Sequence, residues 1–172
     1  MAKAKPVTDL SPQEPYGEAA VKIISTRADE LREHARGVLD TGDIDRVHDM
    51  RVATRRLLAA LEVFEPCFPR KTHRRALREV KRLADGLGER RDRDVAIASL
   101  RAFNDQMPAA DRRGVESLIA RFRDEQAEAN RQLAPLVDEG NLGSLAETIG
   151  ELVGAQPGNG ASAAAPTEGD AG

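Results

Sequence analysis

Between residues 46 and 93, apolar side chains return every three or four positions and cations fill much of the space between them. That period lets an α-helix turn one side inward, and it is not the strict alternation of a half-buried strand. The first segment reads Val47-His48-Asp49-Met50-Arg51-Val52-Ala53-Thr54-Arg55-Arg56-Leu57. At about 100° per residue, His48, Arg51 and Arg55 fall within about 60° of one another. Met50, Ala53, Leu57, Leu61 and Phe64 collect on the opposite side. The second segment, Arg74-Arg75-Ala76-Leu77-Arg78-Glu79-Val80-Lys81-Arg82-Leu83, repeats the design. Arg74, Arg78, Lys81 and Arg82 share one face, and Ala76, Val80, Leu83 and Leu87 share the other. Two consecutive helices are therefore each committed to a dry core on one side and a row of positive charge on the other.

The rest of the chain supplies further helices and no strand-like alternation. Residues 1–17, polar and holding Pro6, Pro12 and Pro15, are expected as a flexible N-terminal arm. A first helix is predicted from Glu18 to Leu39, with Val21, Ile24, Ala28, Leu31, Ala35 and Val38 at helical spacing. Asp43 or Asp45 can cap a second helix through Phe64, which Pro66 and Pro69 stop. A third is predicted from Lys71 to Leu87, with Gly86 and Gly88 as exit signals, and a fourth from Asp94 to Asp105, capped by Asp92. Pro108 or Ala109 opens a fifth, through Val137, and Leu142 to Val153 make a short sixth. Short connections between such helices predict an all-α antiparallel bundle over residues 18–140, followed by the short helix at 141–153. Residues 154–172 are mostly Gly, Ala, Ser and Pro with a few acids, a composition expected of a disordered tail.

With 172 residues the chain has room for one domain with a proper core. No apolar run approaches the ~20 residues that span a bilayer, and no hydrophobic stretch follows Lys3 and Lys5 as a secretory signal would require. A single cysteine, Cys67, excludes an internal disulfide. A cytoplasmic protein is expected. The net charge of −3 argues against a polyanion binder until its distribution is examined. Residues 46–101 hold 15 Lys/Arg against 8 Asp/Glu, a balance of +7, and the remainder carries −10. Such asymmetry marks a basic face on an otherwise acidic protein.

Like charges three or four positions apart repel by a few tenths of a kcal/mol per pair. Acids on the same faces do little to offset them: Glu62 stands near the first row and Asp85 near the second. Unneutralised cations in rows are best explained by a ligand that brings the anions. Arginine binds phosphate oxygens through two parallel hydrogen bonds, a geometry lysine cannot match, so the arginine excess favours phosphate. A charged helix face is more often merely solvated, but two such faces in consecutive helices weigh against that explanation.

The stretch His48-Asp49-Met50-Arg51-Val52-Ala53-Thr54-Arg55-Arg56-Leu57 resembles the opening motif of the conserved-histidine α-helical domain, CHAD. Leu87-Gly88-Glu89-Arg90-Arg91-Asp92-Arg93-Asp94-Val95 resembles that family's second marker, a Leu-Gly turn followed by Arg-Asp-x-Asp-Val. The two occur in the family's order with a basic helix between them, and the resemblance covers about residues 15–140. It implies an all-helical fold of two similar halves around a basic groove that binds inorganic polyphosphate, often at polyphosphate granules. Carried over by motif, His48, Arg51, Arg55 and Arg56 form the phosphate-binding set of the first half. Arg74, Arg78, Lys81 and Arg82 form its second wall, and Arg91 reaches the groove. Asp92 and Asp94 are expected to cap the fourth helix and hold arginines in place. A second histidine–arginine helix is missing. His73 precedes arginines, but its wheel position lies toward the apolar side. The chain thus reads as one half of a CHAD domain, completed by a homodimer or by a second half-domain protein.

The expected function is non-catalytic polyphosphate binding, with no cofactor and no metal. Nucleic-acid binding is the first alternative, since the same cations suit a phosphodiester backbone. Aromatics make up only 3% of the chain, too few for a base-stacking platform. A metal-dependent phosphohydrolase is the second. His34, His48 and His73 lie on different predicted helices, with no zincin-type pair on one face and no Gly-rich phosphate loop.

Overall fold

The computed structural model describes residues 3–155. Five α-helices make up about three quarters of these residues, and no strand occurs among them: α1 (Tyr16–His34), α2 (Ile44–Val63), α3 (Arg70–Asp105), α4 (Arg112–Leu133) and α5 (Glu139–Gly154). The all-α expectation holds. Local chemistry sets the boundaries. Asp43 caps α2 through its carboxylate on the Asp45 amide at 3.3 Å, and Asp138 caps α5 on the Asn141 amide at 2.6 Å. A 3-10 turn at Glu65–Cys67 with Pro66 closes α2, and Pro69 precedes the first residue of α3.

α1 ends at His34, five residues before the expected Leu39, because the chain turns at Gly37. Gly37 has φ +71°, and a Cβ there would come within 2.8 Å of the Arg46 guanidinium, which donates to the Arg36 carbonyl at 3.1 Å. Only glycine fits that conformation without strain.

The expected break between a third and a fourth helix is absent: α3 runs unbroken for 36 residues, about 54 Å. Two interior glycines cost up to about 1 kcal/mol each relative to alanine, yet the burial pattern carries the helix through them. Val80, Leu83, Leu87, Arg90, Asp94 and Ile97 are all buried at helical spacing. Asp92 and Asp94 therefore cap nothing. Asp94 is buried, ion-paired with Arg90 one turn earlier, and accepts from Gln126 Nε2 of α4 at 2.6 Å. The expected fifth helix begins at Arg112, after a 3-10 turn at Ala109–Asp111.

α1 packs on α2, α2 on α3, α3 on α5, and α5 returns to α1. This ring encloses the main core, centred on Ile24, Leu31, Met50, Leu57, Leu61 and Val80, with Leu87 and Leu152 at its ends. The distal part of α3 leaves the ring and pairs with α4, whose main packing partner is α3. Asn130 Nδ2 ties the base of that hairpin to the Leu39 carbonyl at 2.7 Å. Residues 3–15, expected as a flexible arm, lie along α1. Lys5 ion-pairs with Glu33, Arg27 donates to the Lys5 carbonyl at 2.6 Å, and Lys22 pairs with Glu14. The tail expected over 154–172 falls, from Gln156 onward, outside the described residues.

Candidate functional site

α2 and α3 lie side by side and antiparallel. Near the start of α2 the Ile44 carbonyl accepts from Arg91 Nη1 at 3.2 Å, and near its end the Leu61 carbonyl accepts from His73 Nε2 at 2.8 Å. His73 is thus a buried interhelical tie, on the apolar side where its wheel position put it. The outer sides of the two helices meet along a solvent-facing seam. Glu62 of α2 and Lys81 of α3 reach across it, Oε1 to Nζ 3.9 Å.

The two predicted rows border this seam. On α2, His48 and Arg51 are half-buried and Arg55 is exposed; on α3, Arg74, Arg78, Lys81 and Arg82 are all exposed. By the register of the two interhelical hydrogen bonds, His48 lies across from about Gly88, where an added Cβ would meet nothing within 4 Å. Among the described residues, the side chains of Arg51, Arg55, Arg74, Arg78 and Arg82 make no ion pair or hydrogen bond. Elsewhere Arg27, Arg46, Arg75, Arg90, Arg93, Arg121 and Arg131 are each engaged with a carboxylate. The seam therefore concentrates guanidinium groups whose donors are still available.

Three predicted residues sit differently from the rest. Arg56 turns from the seam toward α1, where it ion-pairs with Glu30, a carboxylate only 1% exposed and also held by Arg27. Arg56 and Arg55 are adjacent in sequence, about 100° apart on the helix, and belong to different surfaces. Arg91 is half-buried and engaged with the Ile44 carbonyl, so it fixes the two helices beside the seam. Arg82 leans toward α5, lining a small cleft of about 200 Å³ with Glu79, Asn141 and Ser144.

Sequence reading missed the buried Arg90–Asp94–Gln126 cluster and the Arg27–Glu30–Arg56 cluster. Their only local signals were the i,i+4 spacing of Arg90 and Asp94 and the i,i+3 spacing of Arg27 and Glu30. Cys67 is half-buried beyond the end of α2, and desolvation pushes its thiol above the ordinary range, away from a nucleophilic role. Among the described residues no group of three or more His, Cys, Asp or Glu side chains is placed to hold a metal ion, and no helix is long and apolar enough to cross a membrane.

A family model described as the CHAD domain matches residues 22–171. The chain belongs to the CHAD family. No curated protein matches it. CHAD domains in general bind polyphosphate, and in this CHAD chain the opening motif forms the outer side of α2 and the second marker lies within α3, not at a helix start. The marker's Arg90 and Asp94 are internal struts between α3 and α4, whereas Arg51 and Arg55 of the opening motif, with Arg74 and Arg78 between the two motifs, are exposed or half-buried and have no carboxylate partner.

Proposed function

We propose that this chain binds inorganic polyphosphate without cleaving it, along the α2–α3 seam, with His48, Arg51, Arg55, Arg74, Arg78 and Lys81 as the contacting side chains and Arg82 at the margin toward α5. The observation that carries the reading is the pair of rows of uncommitted cations on adjacent helices. Each helical turn advances about 5.4 Å, so Arg74 to Lys81 spans about 10 Å. A line of cations of that length suits a chain of closely spaced anions better than a single phosphate. Charge-assisted, bidentate arginine bonds and release of counterions supply the attraction. In this reading Arg56 and Arg91 position the site and do not touch the ligand. The location in this reading is the cytoplasm, at polyphosphate granules. A homodimer belongs to the proposal as the form that presents more than one such face to a long chain.

Nucleic acid is the competing ligand. Phe64, the aromatic residue at the end of α2, is buried against Tyr16 with ring centroids 5.0 Å apart, which leaves it unavailable for base stacking. Competition among long-chain polyphosphate, RNA and DNA at matched charge and salt separates the two, and the proposal expects polyphosphate to win. Replacing Arg51 and Arg55 together with alanine should weaken polyphosphate binding by roughly tenfold or more. Unchanged affinity would reject the site. Orthophosphate released from polyphosphate in a His48-dependent, divalent-metal-dependent reaction would reject the non-catalytic reading.

A further inference from the structure

The outer side of α3 changes character along its length. Its first half is cationic, Glu89, Asp92 and Arg93 continue a charged surface beyond the four-helix ring, and its last two turns are apolar. There Leu100, Phe103 and Met107 of the α3 side line up beside Val115, Leu118 and Phe122 of α4. Phe103 is 55% exposed and Leu118 40%, and the other four are half-buried. The strip covers one side of the hairpin's outer end, about 10 Å along each helix and two helices wide. A two-helix hairpin cannot enclose a core of its own; helices bury apolar faces by meeting further helices. Nothing else in residues 3–155 covers this one. Apart from Pro157 and Pro166, residues 156–172 contain no apolar side chain larger than alanine, and α5 ends beside Arg75, about 40 Å along α3 from Phe103. Neither residues 156–172, by composition, nor α5, by position, supplies a segment suited to covering the strip.

We propose that the strip is the contact between two copies of this chain, packed as an antiparallel two-fold pair of α3–α4 hairpins that form a four-helix bundle. The charges flanking the strip set the direction. Asp111, in the 3-10 turn that leads into α4 and seven residues before Leu118, is exposed. Arg121 lies on the rim three residues after Leu118, is 75% exposed, and reaches Glu125 through Nε at 3.2 Å. A two-fold axis crossing near residues 104 and 116 centres the strip on itself and sets each Arg121 opposite the other copy's Asp111. A parallel pairing would set Asp111 against Asp111. An isologous contact of this kind closes at two copies. It duplicates the basic face without enclosing it: with Arg78 about 39 Å from the axis, the two faces lie roughly 80 Å apart, at opposite ends of the pair. The contact does not depend on what the basic faces bind.

Light scattering on the full chain without polyphosphate tests the contact. The expected mass is twice the 18.6 kDa of one chain. Leu118→Glu and Phe103→Glu should each reduce it to one chain while circular dichroism stays helical. Arg51→Ala with Arg55→Ala should leave it unchanged, which separates this contact from the ligand site. Arg121→Asp should weaken the pair at least severalfold, and Arg121→Asp combined with Asp111→Arg should restore it. A wild-type monomer up to roughly 100 µM, a dimer indifferent to Leu118→Glu, or a charge swap that fails to restore pairing would each overturn the proposal.

Discussion

Arg90 and Asp94 are the side chains whose separate replacement should cost the fold most. Both are fully buried and paired with each other, and two of the Arg90 nitrogens, Nε and Nη2, have no other partner. Asp94→Ala strands a buried guanidinium and should destabilise the protein by about 3–5 kcal/mol in urea or thermal unfolding. Arg90→Met with Asp94→Leu should cost much less, because no uncompensated charge remains. At the N-terminus, the hydrogen bond from Lys5 holds Glu33 below the usual carboxylate range, and Lys22 does the same for Glu14. Their contribution to docking residues 3–15 is complete above the ordinary value of 4.5 and is lost as pH falls through their lower folded values. Lys5 is raised by the same bond, so its side of the tie outlasts the ordinary lysine range. The anisotropy of a fluorophore at Ala4→Cys, in a Cys67→Ser background, should therefore hold through the ordinary carboxylate value of 4.5 and fall only on further acidification, with the helices intact. Constant anisotropy would show that these ties do not hold the arm. The wheel separated seam residues such as Arg55 from core residues such as Leu57, because 3.6-residue periodicity is local. It gave no warning that Arg56 faces Glu30, since that partner is 26 residues away and its approach depends on how α1 packs.

At the scale of the element, α3 shows how tertiary burial overrides local punctuation. Gly86, Gly88 and two aspartates read as an exit and a cap, but the buried run from Val80 to Ile97 keeps one helix. The glycines are not equivalent within it. A Cβ on Gly88 meets nothing within 4 Å, whereas one on Gly86 comes within 2.9 Å of Leu136 Cδ1. Gly88→Ala should stabilise the protein by about 0.5–1 kcal/mol, and Gly86→Ala by clearly less, because Leu136 must shift to admit it. Equal gains, or a loss at Gly88, in denaturant unfolding would mean that α3 bends there. The apolar periods of α1, α2 and α4 were legible because each buries one continuous stripe. The α3 join was not, because its inward positions carry a charged pair whose partners only the folded hairpin supplies.

For the whole molecule, the central relation is between a closed ring of helices and the cation rows left on its outside. The ring satisfies the apolar halves of α2 and α3, so their basic halves meet at one open seam by consequence of packing. Membership in the CHAD family and the unpaired state of Arg51, Arg55, Arg74 and Arg78 support the proposed ligand, a linear phosphate polyanion. Binding should weaken steeply with salt, and each seam arginine lost should reduce the slope of log affinity against log salt by roughly one. The most direct measurement is a salt series of long-chain polyphosphate titrations for the wild type, Arg51→Ala with Arg55→Ala, and Arg131→Ala as a control away from the seam. The account predicts lower affinity and a slope shallower by roughly two for the seam variant, with neither change in the affinity per seam for the control. Wild-type affinity and slope in the seam variant would contradict it.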